Sequence, residues 1–79
     1  MNIMSGIRSY IMENDTKITI INNKINIINY IDIGHFDNNK IVVKLKNKNI
    51  IIKGENLVVS KLLDSEILIT GEFYNMEFR

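Results

Sequence analysis

The 79-residue chain contains no cysteine, no proline and no tryptophan, and each absence restricts what it can be. Without cysteine, neither a disulfide framework nor a thiolate metal site can stabilise the fold. A domain of this size buries only about 60% of the surface of its unfolded chain. Its stability must therefore come from densely packed aliphatic side chains or from a partner. The absence of proline means that no β-sheet ladder is interrupted by a residue without a backbone N–H.

A strong charge imbalance and long apolar runs are also missing. The formal net charge is +1, far from the basic balance of a dedicated nucleic-acid-binding protein. The densest apolar run, Ile50-Ile51-Ile52, is much shorter than the roughly 20 residues of a membrane-spanning helix. The first residues lack the pattern of a signal peptide. We therefore expect a cytoplasmic protein with no membrane span of its own.

Groups that carry chemistry are scarce. His35 is the single histidine, and neither cysteine nor a spaced carboxylate pair accompanies it, so no metal site is expected. The glycines are isolated and do not form a phosphate-binding loop. The serines lack the surroundings of a catalytic nucleophile. The sequence predicts no enzyme activity, no catalytic residues and no cofactor.

Isoleucine dominates the apolar residues that are present, and from Lys17 onward it alternates with polar residues, as in strands. Short asparagine-rich stretches separate the alternating segments and suit tight turns. The pattern predicts an all-β domain over residues 17–79, an antiparallel β-sandwich or roll of about seven or eight short strands. The first strands are expected at Lys17–Ile21, Lys24–Ile33 and Lys40–Lys46, with turns at Asn22-Asn23 and Asp37-Asn38-Asn39.

Residues 1–16 differ from the rest of the chain in the spacing of their apolar residues. Ile3, Ile7, Tyr10 and Ile11 recur at three- and four-residue spacing, which favours one face of a short helix. Gly6 weakens this prediction, and a segment of this length is not helical on its own. We expect either a short helix that docks on the β domain or on another molecule, or a disordered segment.

The second half of the sequence contains an internal repeat. Ile50–Leu57 aligns with Ile67–Tyr74, and in each copy an apolar run meets Gly-Glu and then a second apolar strand. Glycine permits a turn, a corner between sheets or a close backbone approach. Gly54, Glu55, Gly71 and Glu72 are therefore predicted to form structural turns, with the glutamates solvated. A parallel β-solenoid is the alternative architecture, but it needs at least about three good repeats.

Strand alternation places Tyr74, Met76 and Phe78 on one face of the last strand and Phe73 on the other. A strand that is apolar on both faces leaves side chains exposed, and exposed apolar patches mark interaction surfaces. The pattern predicts a binding module or a self-assembling β scaffold, including a homo-oligomer. The predicted interaction surface comprises Ile7, Tyr10, Ile11, Phe73, Tyr74 and Phe78.

Lys44 and Lys46 raise the alternative of a small nucleic-acid-binding β-barrel. Single-strand binders combine a basic stripe with aromatic side chains on which bases stack. No aromatic residue is interleaved with these lysines. Lysines on outer strands also protect sheet edges from aggregation, and this second interpretation is favoured.

Several segments of the chain, in their order and spacing, resemble the YabP/YqfC family of sporulation proteins. The resemblance to the YqfC type is closer. The resemblance covers residues 17–78, and its most specific element is the doubled apolar-run–Gly–Glu unit followed by Met76-Glu77-Phe78. Ile31-Asp32 departs from the Lys-Gly that is common in the family at that point. Asn47-Lys48-Asn49 stands where the family commonly has a glycine-containing turn.

The resemblance implies a small β-sandwich-like domain of endospore-forming bacteria that is expressed in the mother cell during sporulation. It further implies a non-enzymatic role in protein–protein contact with an integral-membrane sporulation protein. Under this interpretation the chain lies at the periphery of the membrane that surrounds the forespore. No catalytic or binding residues are implied by the resemblance.

Overall fold

A computed structural model describes the backbone of Ile7–Ile11 and the whole of residues 16–79. Within these residues every regular element is a strand. The seven strands form one antiparallel sheet in the order β1-β2-β3-β7-β6-β5-β4, which confirms the all-β prediction. Their bounds are β1 Ile7–Ile11, β2 Lys17–Ile21, β3 Lys24–Ile28, β4 Asp32–Phe36, β5 Lys40–Lys44, β6 Asn49–Leu62 and β7 Glu66–Phe78.

β6 and β7 are much longer than the other strands, with 14 and 13 residues. The first half of β6 pairs with β5 and with the second half of β7, whereas the first half of β7 pairs with β3 and with the second half of β6. Buried side chains of β2 and β3, on one side of the long strands, and of β5, on the other side, belong to one core, so the sheet folds over itself as a roll. The core comprises Ile18, Ile25, Ile27, Ile41, Val43, Leu45, Ile50, Ile52, Leu57, Ile67 and Ile69.

The strand order reveals two equivalent three-stranded units. We call β4, β5 and β6 the inner unit and β2, β3 and β7 the outer unit. The names refer to the sequence, in which the inner unit lies between β3 and β7, although β3 and β7 are neighbours in the sheet. The turn of each hairpin contains Asn-Asn-Lys-Ile, at residues 22–25 and 38–41. The N–H of Gly54 donates to the carbonyl of Asn39 at 3.0 Å, and the N–H of Gly71 donates to the carbonyl of Asn23 at 3.1 Å. The internal repeat is therefore larger than the Gly-Glu segments, and an approximate two-fold axis passes between β6 and β7.

The structure corrects the prediction of an N-terminal helix. Ile7–Ile11 forms strand β1, which pairs with β2 from Ile7 opposite Ile21 to Ile11 opposite Lys17. The ladder with β2 supplies backbone hydrogen-bond partners, whereas a helix this short is marginal by itself. Residues 1–6 and 12–15, which complete the predicted N-terminal segment, lie outside the described residues.

The predicted strand Lys24–Ile33 is divided into β3 and β4. Asn29 has a φ of 68°, a conformation that asparagine tolerates better than isoleucine, and it ends the alternation. The N–H of Ile31 donates to the carbonyl of Lys44 at 2.7 Å. The side chain of Ile31 is consequently exposed, and the prediction that it shares the core face with Ile25 is wrong.

Candidate interaction site at the crossing of β6 and β7

The two Gly-Glu segments lie directly opposite each other within the β6–β7 ladder. Gly54 pairs with Phe73, and Glu55 pairs with Glu72. The prediction that these residues form turns is therefore wrong, because both segments lie inside long strands. The alternative role of glycine, a close approach between backbones, applies here instead.

Both glycines are required by the space at this crossing. A Cβ atom on Gly54 would collide with the carbonyl oxygen of Glu72 and would lie 2.9 Å from its carbonyl carbon. Gly71 has a φ of +143°, and a Cβ atom there would lie 2.8 Å from the carbonyl oxygen of Asn56. Neither contact is tolerated by an L-residue without displacement of backbone. The glycines thus let the two strands bend while they remain paired.

Each Gly-Glu segment is followed by an irregularity in the ladder. Two residues of the inner unit, Asn56 and Leu57, lie between the paired positions Glu55 and Val58, whereas in the outer unit Tyr74 has no opposite residue on β6. Leu57 and Tyr74 occupy equivalent positions in the two units, yet their environments differ. Leu57 is 2% exposed, and Tyr74 is 64% exposed.

The irregularity also changes which residues of β7 face the core. Phe73 and Met76 pack against the core, and Tyr74 points away from it. The prediction that Tyr74, Met76 and Phe78 share a face opposite Phe73 is therefore wrong. One unpaired residue shifts the alternation along the strand.

In the inner unit the Leu57 side chain covers the crossing of the two strands, and we call this unit closed. The Cδ2 atom of Leu57 lies 3.1 Å from the position of a Cβ on Gly54 and 2.9 Å from that on Gly71, so its side chain covers both glycines. Its N–H donates to the carbonyl of Asn38 in the β4–β5 turn at 3.0 Å. This hydrogen bond connects β6 to the hairpin of its own unit.

The outer unit is open at the equivalent place. β7 leaves β3 after the pair formed by Lys24 and Thr70, and a groove of about 680 Å³ lies between the β2–β3 hairpin and the second half of β7. Apolar side chains and polar groups both line this groove. The lining residues are Ile20, Asn22, Asn23, Ile25, Gly71, Glu72, Phe73, Tyr74, Asn75 and Met76. We call it the β2–β7 groove.

The strand edge along this groove has unpaired backbone groups. Asn49 and Arg79 exchange hydrogen bonds of 2.7 and 2.8 Å between β6 and β7. Because hydrogen-bonded and non-hydrogen-bonded pairs alternate in an antiparallel ladder, the N–H and C=O groups of Met76 and Phe78 point away from β6. No strand of the described part of the chain pairs with β7 on that side beyond Thr70. Among the residues that the structure describes, the second half of β7 is therefore a free sheet edge.

The groove has an acidic rim. Glu55 and Glu72 are exposed, lie opposite each other, and form no ion pair with any residue of the described chain. The Tyr74 hydroxyl donates a hydrogen bond to Glu55 Oε1. This hydrogen bond, together with desolvation and the charges of Glu55 and Glu72, raises the pKa of Tyr74 to about 12. The local field thus disfavours further negative charge and favours a cation.

The structure brings together only part of the predicted interaction surface. Phe73 and Tyr74 line the groove, and Phe78 lies farther along β7, opposite Ile50. Ile7 pairs with Ile21, near the end of the groove, whereas Tyr10 and Ile11 lie at the opposite end of β1. The side chains of Ile7, Tyr10 and Ile11 lie outside the described residues.

Sequence reasoning missed the contribution of the β2–β3 hairpin, namely Ile20, Asn22, Asn23 and Ile25. The repeated Asn-Asn-Lys-Ile was a signal that these residues and the Gly-Glu segments belong to the same unit. A second exposed apolar set, in the second half of β6 and directly after it, comprises Val58, Leu62 and Leu63.

The remaining charged residues do not form a comparable site. His35 Nε2 lies 2.9 Å from Asp37 Oδ2, and this bond, with the backbone N–H groups of Asn39 and Lys40, lowers the pKa of Asp37. Within the β4–β5 turn, the N–H groups of Asn39 and Lys40 donate to Asp37 Oδ1 at 2.8 and 2.7 Å. Lys44 lies opposite Asp32 in the ladder. Over the described ranges, no group of three or more histidine or acidic residues is arranged to hold a metal ion.

These observations define a small all-β domain in which, among the described residues, a free sheet edge lies beside a partly apolar groove with an acidic rim. The model of the YabP family matches residues 12–79, and the chain belongs to this family. Family membership suggests a sporulation-related protein. No curated protein and no solved structure is similar enough to the chain to match it. Among the described residues, no helix has the length and apolar character needed to cross a membrane.

Proposed function

We propose that the chain is a non-enzymatic sporulation protein of the YqfC type that acts through protein–protein contact. Its partner is an integral-membrane sporulation protein, and the chain works in the mother cell, at the periphery of the membrane around the forespore. Membership of the YabP family supports the connection with sporulation. The contact role rests on the structure of β7.

The free edge of β7 is the single observation that carries the proposed contact. Its outward backbone groups are unpaired within the described chain, and Tyr74 and Phe78 are exposed beside them. Exposed strand edges invite pairing with another chain, and proteins usually protect them. An edge that combines unpaired backbone groups with exposed aromatic side chains is suited to contact with another protein.

Fractionation of sporulating cells tests the proposal. We expect the tagged chain to be recovered with the mother-cell membranes, to be cross-linked to one integral-membrane protein, and to be required for normal spore yield. The double variant Tyr74→Ala/Phe78→Ala should lose the cross-link. Phe36→Ala is the matched control, because Phe36 is an exposed aromatic residue on the opposite edge strand, β4, and it should retain the cross-link.

Two results would contradict the proposal. One is recovery of the chain solely in the soluble fraction throughout sporulation, with normal spores in its absence. The other is an equal loss of the cross-link in the Phe36 control, which would show that the edge of β7 has no special role.

A further inference from the structure

We propose that the β2–β7 groove binds an extended segment of a partner protein, which adds to the free edge of β7 as a further strand. Aliphatic side chains of the segment face Ile20, Ile25 and Met76, and a lysine or arginine lies beside Glu55 and Glu72. This inference rests on the proposed function, because it specifies the chemistry of the contact through which the chain acts.

The backbone of β7 supplies the first argument. Met76 and Phe78 present N–H and C=O groups at the two-residue spacing at which an added strand forms its hydrogen bonds. In strand addition, main-chain hydrogen bonds provide affinity, and pockets for alternate side chains provide specificity. The groove lies directly beside this edge and provides such a pocket.

The shape of the groove favours a strand over a small molecule. Its volume of about 680 Å³ is that of an ordinary ligand pocket, which covers most of a small ligand. This groove, however, is bounded by a hairpin on one side and a single strand on the other. A small ligand would remain largely in contact with water, whereas an extended chain would use both the pocket and the edge.

The inner unit shows what kind of side chain completes this arrangement. There, aliphatic Leu57 is buried, and its N–H donates to the turn carbonyl of Asn38. The residue equivalent to Asn38 in the outer unit is Asn22, which lines the groove. Leu57 already fills the volume over the two glycines, so an incoming strand would place its aliphatic side chain in the open part of the groove, beside Ile20, Ile25 and Met76.

The acidic rim of the groove determines which charged residues the partner segment should carry. Glu55 and Glu72 place two carboxylates directly opposite each other, and like charges in this position repel. The two lie on the face of the ladder opposite to Gly54 and the core. A strand whose aliphatic residues face the groove presents its alternate residues on the same side as the two glutamates. A lysine or arginine at such a position relieves the repulsion.

A synthetic peptide with this pattern tests the inference on the full chain. The probe is acetyl-Thr-Ile-Lys-Ile-Lys-Ile-Thr-amide, added to the ¹⁵N-labelled protein and followed by amide chemical shifts. We expect saturable shifts over residues 20–25 and 71–78, with residues 32–44 unchanged. A control peptide with glutamate in place of both lysines should bind at least about tenfold more weakly, because it places like charges together.

Two charge-reversal variants provide the matched comparison. Glu72→Lys converts the repulsive pair with Glu55 into an attractive one, so the fold is retained while the groove loses its acidic character. We expect it to weaken binding of the lysine peptide at least about tenfold. Asp64→Lys makes the same change of charge in the β6–β7 loop and should leave the affinity within about twofold.

Several results would overturn the inference. They are the absence of shifts at millimolar peptide, shifts confined to residues 58–62, equal binding of the acidic peptide, or unchanged affinity in Glu72→Lys. None of these results affects the membrane fractionation of the wild-type chain. A protein that remains bound to its membrane partner while the peptide fails would therefore refute the groove and leave the proposed function standing.

Discussion

The inner and outer units share strand order, hairpin sequence and the Gly-Glu segment, yet one is closed and the other is open. In the inner unit Leu57 is buried and its N–H is bonded to the β4–β5 turn. In the outer unit Tyr74, at the equivalent position, points outward and leaves a groove beside β7. Two copies of one unit thus present different surfaces within the same sheet.

The difference follows from the space at the approximate two-fold axis. The Leu57 side chain covers both Gly54 and Gly71, and an apolar side chain entering from the outer unit would compete with it for the same volume. Protein interiors are close-packed, so the place over the glycines holds one side chain. The copy that carries leucine there is closed, and the copy that carries tyrosine is left with an exposed edge.

The largest expected effect comes from adding a methyl group at the crossing. Gly54→Ala should lower the free energy of unfolding by about 4 kcal/mol, because its Cβ collides with backbone at Glu72. Gly71→Ala should cost about 2 kcal/mol, because its contacts are longer but its φ is unfavourable. Urea denaturation measures both changes. Equal and small effects would show that the two strands do not approach each other as described.

The next largest difference between the units is expected when the side chains at the two equivalent bulge positions are truncated to alanine. Leu57→Ala should cost about 3 kcal/mol, since it removes a buried side chain. Tyr74→Ala should change the free energy of unfolding by about 0.5 kcal/mol or less, because the side chain is largely exposed. Thermal and urea unfolding provide the values. Similar losses for both variants would mean that Tyr74 packs as Leu57 does.

The two hairpin turns offer a smaller contrast. Asn22 has a φ of 49°, whereas Asn38, its equivalent, has no positive φ. Asn22→Ala should therefore destabilise the protein by about 1 kcal/mol, because an alanine there adopts an unfavourable left-handed conformation. Asn38→Ala should have an effect within about 0.5 kcal/mol. A larger loss for Asn38→Ala than for Asn22→Ala in urea denaturation would refute the assignment of the left-handed conformation to Asn22 alone.

The smallest effect is a response to alkaline pH at Tyr74 of the outer unit. The pKa of Tyr74 is raised from 10.0 to about 12 by its hydrogen bond to Glu55. This contribution to stability is complete below pH 10 and is lost as the pH rises through 12. In Glu55→Gln the ultraviolet titration of Tyr74 should move down toward pH 10, with Tyr74→Phe identifying its step. An unchanged titration would show that Glu55 does not bind the hydroxyl.

Most of the sheet could be predicted from the sequence because isoleucine alternates so regularly. Lys17–Ile21, the Asn22-Asn23 turn and the inward set Ile41, Val43 and Leu45 are found as expected. In these segments local propensity and burial favour the same structure. Asn29 does interrupt the apolar face within Lys24–Ile33, but the apolar pattern does not distinguish a bulge from the strand end that its positive φ makes there.

The candidate site was predictable only in part. Phe73, Tyr74 and the Gly-Glu segments were recognised as unusual, but their arrangement depends on ladder irregularities that no local pattern encodes. The groove needs the β2–β3 hairpin beside β7, a contact between residues far apart in the chain. The strand character of Ile7–Ile11 was missed for a similar reason, since pairing with β2 overrides a weak helical spacing.

Amide hydrogen exchange, followed residue by residue by NMR on the free chain, tests the difference between the two units most directly. We expect slow exchange at Leu57, Asn75 and Glu77, because their N–H groups are bonded within the sheet or to the β4–β5 turn. We expect fast exchange at Met76 and Phe78, whose N–H groups point to the open groove side of β7. Protection of Met76 and Phe78 equal to that of Asn75 and Glu77 would contradict the account, because the edge of the outer unit would then be covered.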